Sequence, residues 1–148
     1  PDRKIPAVTH VFIHHTTGGQ CSSIPACSIK LLGFQKDHID KKWGDIGYSF
    51  LIGGDGKVYV GRGWNIEGAH TIGYNRNGIG ISFIGDFTKD APASSMLNAA
   101  KALIACGVKE GKIIKNYQLH GHRDAYNTAC PGEKLYKEIK SWKNYRKI

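Results

Sequence analysis

The sequence predicts one α/β domain in which a mixed central β-sheet is flanked by about three helices. The 148 residues suit a single domain, which we place over residues 1–148, and 41% of them are hydrophobic, enough for one core. Short β-rich segments alternate with three amphipathic stretches, and no internal repeat, low-complexity tract or linker divides the chain.

The first part of the chain predicts a strand, a loop and a helix. Residues 7–15 (AVTHVFIHH) are rich in β-formers and predict a buried strand that ends in histidines. Residues 16–26 contain Gly, Ser and Pro and predict a loop. Apolar residues then recur at helical spacing over residues 28–42, and Trp43–Gly44 is expected to close this helix.

A hairpin and a further strand are predicted in the middle of the chain. Residues 48–52 form a short apolar segment and predict one strand. A turn at 53–56 that contains Asp-Gly follows, and residues 57–60 predict the second strand of a β-hairpin. Residues 61–78 are rich in Gly and Asn and predict irregular structure. Residues 79–84 predict another buried strand.

Two helices and a strand complete the prediction. Pro92 and the two serines at 94–95 introduce a helix that runs to about Val108. Residues 116–122 predict a short strand. The last helix is amphipathic and follows Pro131, with its apolar side marked by Leu135, Ile139 and Trp142.

The charge balance is strongly basic, at a formal net charge of +9. A basic surface favours anionic partners such as nucleic acid, anionic lipid or anionic wall polymers, but a solvated basic surface without a partner has the same composition. No apolar run is long enough to span a membrane. We therefore expect no membrane span.

Four cysteines leave their pairing open, because four allow three complete connectivities. Cys21 and Cys27 lie in a polar loop that could close into a small disulfide, which would indicate secretion. The alternative is a pair of free thiols in a cytosolic loop. Cys106 lies in an apolar helical segment and is expected to be a buried core thiol.

Histidines and a cysteine gather where strands are predicted to end. His14 and His15 end the first strand, while His120, His122 and Cys130 span a later strand and loop. Zinc is commonly bound by His nitrogen and Cys thiolate, but the spacing from His122 to Cys130 matches no short zinc-finger pattern. The ligands would have to converge through the fold, and a histidine pair at a strand end is more often polar packing.

Several segments together resemble the peptidoglycan recognition proteins and the related phage amidases. They follow the family's order and cover nearly the whole chain. They are VFIHHT at 11–16, the C-x5-C loop at 21–27, DIGYSFLIGGDGKVYVGRGWN at 45–65, GAH at 68–70, YNRNGIGISFIGDF at 74–87 and GHRDAYNTACPG at 121–132.

The resemblance implies one Zn²⁺ ion held by His14, His122 and Cys130, with His15 as the neighbouring candidate. It implies hydrolysis of the amide between N-acetylmuramic acid and L-alanine, with Tyr48 as the catalytic tyrosine and Thr128 as a second catalytic candidate. A core tyrosine is the alternative for Tyr48. Family members that act only as receptors often carry Ser at the position of Cys130.

The resemblance also implies a cleft for the stem peptide. The family's cleft positions fall on Asp37, Lys42, Trp43, Tyr48, Arg62, His70 and Asn75. His70 is either a catalytic helper or a ligand-contacting residue. Trp43 is typical of members that prefer diaminopimelate-type stems, whereas Thr88 replaces the arginine that they carry. Lys42 stands where those members often carry Gly before the Trp, and Asp37 replaces a histidine common in the cleft. Trp43 and Thr88 thus point in opposite directions, and we expect a lysine-type or mixed preference.

Three functions are compatible with the sequence. The first is a secreted zinc amidase of innate immunity that acts on muropeptides, and the second is a non-catalytic receptor for the same fragments. The third, a nucleic-acid-binding domain with a structural zinc, lacks both zinc-finger spacing and interleaved basic and aromatic residues. We therefore expect a monomer that binds peptidoglycan fragments and no nucleic acid.

Overall fold

The computed structural model describes residues 3–148 and contains a five-stranded sheet. The strands are β1 (Val8–His15), β2 (Phe50–Ile52), β3 (Val58–Val60), β4 (Gly78–Phe83) and β5 (Ile113–Gly121). Their order across the sheet is β3-β2-β4-β1-β5. The β2–β3 hairpin is antiparallel and the other pairings are parallel, so the predicted mixed sheet is confirmed.

Strand β1 lies between two parallel neighbours and forms the buried centre of the domain. Val11, Phe12 and Ile13 are fully buried, as expected for a strand covered on both faces. The carboxyl ends of β1, β2, β4 and β5 meet at one edge of the sheet, because these strands run in parallel. In sheets of this type ligands bind outside that edge.

Two apolar clusters cover opposite faces of the sheet. Ile52 belongs to the larger cluster, which includes residues of the second and third helices, whereas its neighbour Leu51 belongs to a smaller cluster with Cys21, Cys27 and Ile84. Adjacent residues of a strand point to opposite faces, so the two clusters lie on different sides of the sheet.

Three helices flank the sheet, in agreement with the prediction: α1 (Ile24–Asp40), α2 (Ser94–Lys109) and α3 (Glu133–Ile139). Helix α1 begins four residues before the predicted start. The Ser23 side chain accepts a hydrogen bond from the Ala26 backbone N–H at 3.2 Å, and Pro25 lies in the first turn. An N-cap serine followed by proline is a strong helix start that the loop prediction for residues 16–26 overlooked.

Other element boundaries also differ from the prediction. Strand β5 begins at Ile113, three residues early, and His122 belongs to a short 3₁₀ turn, His122–Asp124, rather than to the strand. Helix α3 ends at Ile139, so Trp142 lies beyond it although its side chain remains buried.

The cysteines have two different outcomes. Cys21 and Cys27 form the disulfide, which joins the loop after β1 to the first turns of α1. The prediction for Cys106 is wrong, because its side chain is exposed. Helix α2 buries Ala100 and Ile104, and a residue two positions beyond Ile104 is turned about 200° away from that face. No helix within residues 3–148 is long and apolar enough to cross a membrane.

Candidate metal centre

Three side chains converge outside the carboxyl edge of the sheet. His14 ends β1, His122 opens the 3₁₀ turn after β5, and Cys130 lies in the loop before α3. One ligand atom from each lies within 4.8 Å of the other two. Ligands of a tetrahedral zinc stand roughly 3.3–3.6 Å apart, given Zn–N and Zn–S bonds near 2.0 and 2.3 Å. Small side-chain shifts would therefore bring two nitrogens and one sulfur to zinc-binding distance, and the donor set fits the metal.

His14 is almost fully buried, with 1% of its surface exposed. Its Nδ1 atom lies 3.7 Å from Cys130 Sγ, and its Nε2 atom lies 3.2 Å from Thr71 Oγ1. Burial, followed by the nearby His70 and His122 rings, lowers the pKa of His14 well below its usual value. The ring is therefore neutral at physiological pH, as a metal ligand must be.

His122 is also neutral, because burial lowers its pKa to about 4. Its ring centroid lies 4.4 Å from that of His14. The Gly121 backbone N–H donates to Asp124 Oδ2 at 2.9 Å, and Tyr136 and Tyr145 donate to the same carboxylate. This network fixes the turn that presents His122.

Burial raises the pKa of the Cys130 thiol to about 12, against the opposing effects of a hydrogen bond and a nearby cation. The His15 backbone N–H donates to Sγ at 3.3 Å, and Arg123 supplies the positive charge. A metal-free Cys130 is thus protonated at neutral pH. A coordinated thiol loses its proton.

His15 has a different role from His14. Its Nδ1 atom accepts a hydrogen bond from the Phe87 backbone N–H at 3.2 Å and lies 4.0 Å from Asp86 Oδ1. It is not one of the three converging ligands. The alternation of side chains along β1 therefore separates the two neighbouring histidines.

A cavity of about 320 Å³ opens beside the three ligands. Eight of the side chains singled out in the sequence line it: His14, His15, Trp43, Tyr48, His70, His122, Thr128 and Cys130. A larger cavity of about 550 Å³ lies between α2, β5 and the C-terminal segment, but its lining contains no His, Cys, Asp or Glu. Of these two cavities, the smaller one contains the candidate metal-binding groups.

Tyr48 lies next to the candidate metal ligands, with its ring centroid 5.3 Å from that of His14. Burial, with a smaller effect from Cys130, raises the pKa of Tyr48 to about 12. The hydroxyl therefore keeps its proton at neutral pH and can donate a hydrogen bond. Thr128 Oγ1 accepts a hydrogen bond from the Cys130 backbone N–H at 3.2 Å, which shapes the ligand loop.

His38 and Lys41 line the cavity but were not singled out in the sequence. His38 Nδ1 accepts a hydrogen bond from the Gly47 backbone N–H at 2.8 Å, and its ring packs 4.7 Å from Trp43. The Lys41 ammonium lies 5.2 Å from the Trp43 ring centroid. Their position late in a helix carried no signal, since a helical histidine or lysine usually faces solvent or the core.

Four of the expected cleft residues, Asp37, Lys42, Arg62 and Asn75, do not line this cavity. Arg62 donates hydrogen bonds to the backbone carbonyls of Trp43, Ile46 and Glu67 at 2.6–2.9 Å. Its guanidinium therefore holds the segment that carries Trp43. Lys42 has a φ of +69° and does not line the cavity, whereas its neighbour Lys41 does.

Asp37 and Asn75 also have partners within the protein. The Asp37 carboxylate is exposed and pairs with Lys41 at 3.2 Å. Asn75 Oδ1 accepts hydrogen bonds from the backbone N–H groups of His70 and Thr71, both at 2.9 Å. Burial lowers the pKa of the His70 ring to about 3, so this ring is neutral.

Comparisons with known proteins agree with this geometry. The family model described as N-acetylmuramoyl-L-alanine amidase matches residues 4–133. The chain is 45% identical to peptidoglycan-recognition protein SC2 of Drosophila melanogaster over 140 residues, which is 94% of this chain and 76% of that protein. It is 43% identical to peptidoglycan recognition protein 1 of Bos taurus over 143 residues, 95% of this chain and 75% of that protein.

Solved structures give the same result. Drosophila PGRP-LB superposes with a TM-score of 0.98 at 43% identity, over 100% of this chain and 89% of that one. Peptidoglycan recognition protein LE, solved in complex with tracheal cytotoxin, superposes with a TM-score of 0.98 at 39% identity, over 100% and 88%. The chain therefore belongs to the peptidoglycan recognition proteins, within the N-acetylmuramoyl-L-alanine amidase family.

Proposed function

We propose that this protein is a zinc-dependent amidase that hydrolyses the bond between N-acetylmuramic acid and L-alanine in bacterial peptidoglycan. The observation that carries the proposal is the convergence of His14, His122 and Cys130 within 4.8 Å beside a cavity. Three protein ligands are typical of catalytic zinc, which keeps its fourth position for water or substrate. Cys130 separates this chain from receptor-type members that carry Ser.

A zinc ion bound there would supply Lewis-acid chemistry, polarising the scissile carbonyl and lowering the pKa of a water molecule. The protein's own contribution begins with the neutral rings of His14 and His122, which keep their lone pairs available. Tyr48, protonated because its pKa is about 12, is the residue that we propose donates a hydrogen bond to the developing oxyanion. No carboxylate lines the cavity in the described part of the chain, so a histidine acceptor would have to be one of the rings outside the ligand set, namely His15, His38 or His70.

The proposed substrate is a muropeptide. Relatives LE and the LCa–LCx ectodomain complex were solved with tracheal cytotoxin, which is described for LE as monomeric diaminopimelic acid-type peptidoglycan. In this chain Trp43 supplies an aromatic wall, and Lys41 supplies a cation suited to an anionic stem peptide. Secretion is part of the proposal, because the Cys21–Cys27 disulfide is typical of oxidising compartments.

The second candidate function is a non-catalytic immune receptor for the same fragments. It is favoured by the relatives that were solved as complexes with tracheal cytotoxin. The two functions share the cleft and differ only in turnover.

One experiment separates them. Purified lysine-type and diaminopimelate-type peptidoglycan are incubated with the protein, and free stem peptide is measured by mass spectrometry. We expect release that stops with a chelator and returns with zinc, and no release by the matched Cys130→Ser variant. A zinc-loaded protein that binds fragments but releases no stem peptide would establish the receptor function instead.

A further inference from the structure

The two ring nitrogens of His14 have different surroundings. Nδ1 lies 3.7 Å from Cys130 Sγ and therefore faces the other metal ligands. Nε2 points the other way and lies 3.2 Å from Thr71 Oγ1. A nitrogen that binds a metal must present its lone pair, so a neutral His14 that binds through Nδ1 carries its proton on Nε2.

Both the backbone and the side chain of Thr71 have partners that hold it in this position. Its backbone N–H donates to Asn75 Oδ1 at 2.9 Å, which fixes the loop, and only 1% of its surface is exposed. Its hydroxyl lies between two imidazoles, because Oγ1 is also 2.8 Å from His70 Nδ1. A hydroxyl can accept one hydrogen bond and donate another, so it can bond to one nitrogen of each ring at once.

We propose that Thr71 is a positioning residue for the metal centre. Its hydroxyl oxygen accepts a hydrogen bond from the Nε2–H of His14, and its O–H donates to His70 Nδ1. These bonds hold the His14 ring in the tautomer that offers Nδ1 to the metal. The inference rests on the proposed zinc site and extends it, since it assigns a role to a residue outside the ligand set. Asn75 contributes indirectly, by fixing the backbone of Thr71.

The simpler interpretation is that Thr71 only fills space among buried rings. The Thr71→Val variant separates the two, because valine has almost the same shape but no hydroxyl. It would leave the inward nitrogens of both rings without this partner, and a buried group without its hydrogen bond loses stability. The matched control is Thr71→Ser, which keeps the hydroxyl and removes only a methyl group.

The main test is zinc affinity, measured by competition with a chromogenic chelator. We expect Thr71→Val to bind zinc about 10- to 100-fold more weakly than the wild type, the usual effect of losing a partner of a metal-bound histidine. Thr71→Ser should stay within a few-fold of the wild type. The cobalt-substituted Thr71→Val protein should also show an altered d–d spectrum, which reports ligand geometry independently of activity.

Equal zinc affinity in Thr71→Val and wild type would overturn the inference, as would equal weakening in the valine and serine variants. If Thr71→Val does not fold, long-range ¹H–¹⁵N spectra of the zinc-loaded wild type decide. A proton on His14 Nε2 supports the role of Thr71, and a proton on Nδ1 overturns it. A wild type that binds no zinc, or a Cys130→Ser variant that binds it equally well, would overturn the zinc site itself.

Discussion

Two histidine pairs, one within strands β1 and β5 and one where β1 ends and the turn after β5 begins, differ in the groups that their ring nitrogens contact. The inner pair, His10 and His120, forms a hydrogen bond of 3.0 Å, and His120 Nδ1 lies 2.5 Å from the Arg146 carbonyl oxygen. The outer pair, His14 and His122, has ring centroids 4.4 Å apart. A nitrogen of each ring lies within 4.8 Å of the Cys130 sulfur.

The hydrogen-bond partners of the ring nitrogens distinguish a structural histidine pair from a candidate metal-binding pair. His120 donates from Nδ1 to a carbonyl and accepts from His10 at Nε2, so its ring is fully satisfied by the protein. In the described part of the chain no side-chain hydrogen bond reaches the His122 ring, and a cavity opens next to it. A neutral imidazole whose nitrogen lone pair has no partner in the protein, next to a thiol, is suited to bind a metal.

The largest expected effect comes from removing one ligand of the outer pair. His122→Ala should reduce amidase activity to the level of the chelator-treated protein and should abolish tight zinc binding, because two ligands remain. The control substitution in the inner pair, His10→Gln, should leave amidase activity and zinc affinity within a few-fold of the wild type. Stem-peptide release and zinc competition measure the two variants. Equal losses in both would remove the distinction between the pairs.

The next largest effect is a loss of catalytic rate without a loss of zinc affinity. Tyr48→Phe should lower kcat by about 10²- to 10³-fold if its hydroxyl donates to the oxyanion, the usual cost of losing one such donor. Zinc affinity should change little, since Tyr48 is not among the three ligands. A variant with wild-type kcat would assign Tyr48 to packing alone.

Acid should destabilise the metal-free protein. The pKa of His70 is about 3 in the folded protein and about 6.5 when unfolded, so the unfolded state binds more protons below pH 6.5. Stability is therefore full above pH 6.5 and is lost progressively towards pH 3. His70 alone costs about 2 kcal/mol at pH 5. Urea unfolding with chelator at pH 7, 6 and 5 tests this, and an unchanged free energy of unfolding would contradict it.

The smallest effect is expected from the lysines beside the cavity at the candidate metal centre. Lys41→Ala should weaken muropeptide binding by about two- to fivefold, as expected for an exposed charge contact worth up to about 1 kcal/mol. Lys42→Ala should leave the dissociation constant unchanged, because Lys42 does not line the cavity. Calorimetry with a soluble muropeptide gives both values. A larger loss with Lys42→Ala would reverse the assignment of the two lysines.

The fold could largely be predicted from the sequence, because strands and helices depend on strong local signals. The convergence of His14, His122 and Cys130 could not be derived from their spacing and was expected only from the family resemblance. Apolar runs placed the strands, and family motifs selected His14, His122 and Cys130. The roles of Arg62 and Asn75 could not be predicted, since they depend on carbonyl and N–H groups that only the folded loops bring within reach. Thr71 carried no signal for the same reason. Its hydroxyl acquires two imidazole neighbours only through the packing of β1 against the loop at 68–75.

Zinc-edge X-ray absorption of the purified, zinc-loaded protein tests the central claim most directly. We predict one zinc ion per chain, with one sulfur neighbour at about 2.3 Å and nitrogen or oxygen neighbours at about 2.0 Å. The sulfur contribution should disappear in Cys130→Ser and persist in His10→Gln. A first shell without sulfur in the wild type would contradict the assignment of His14, His122 and Cys130 as the metal centre.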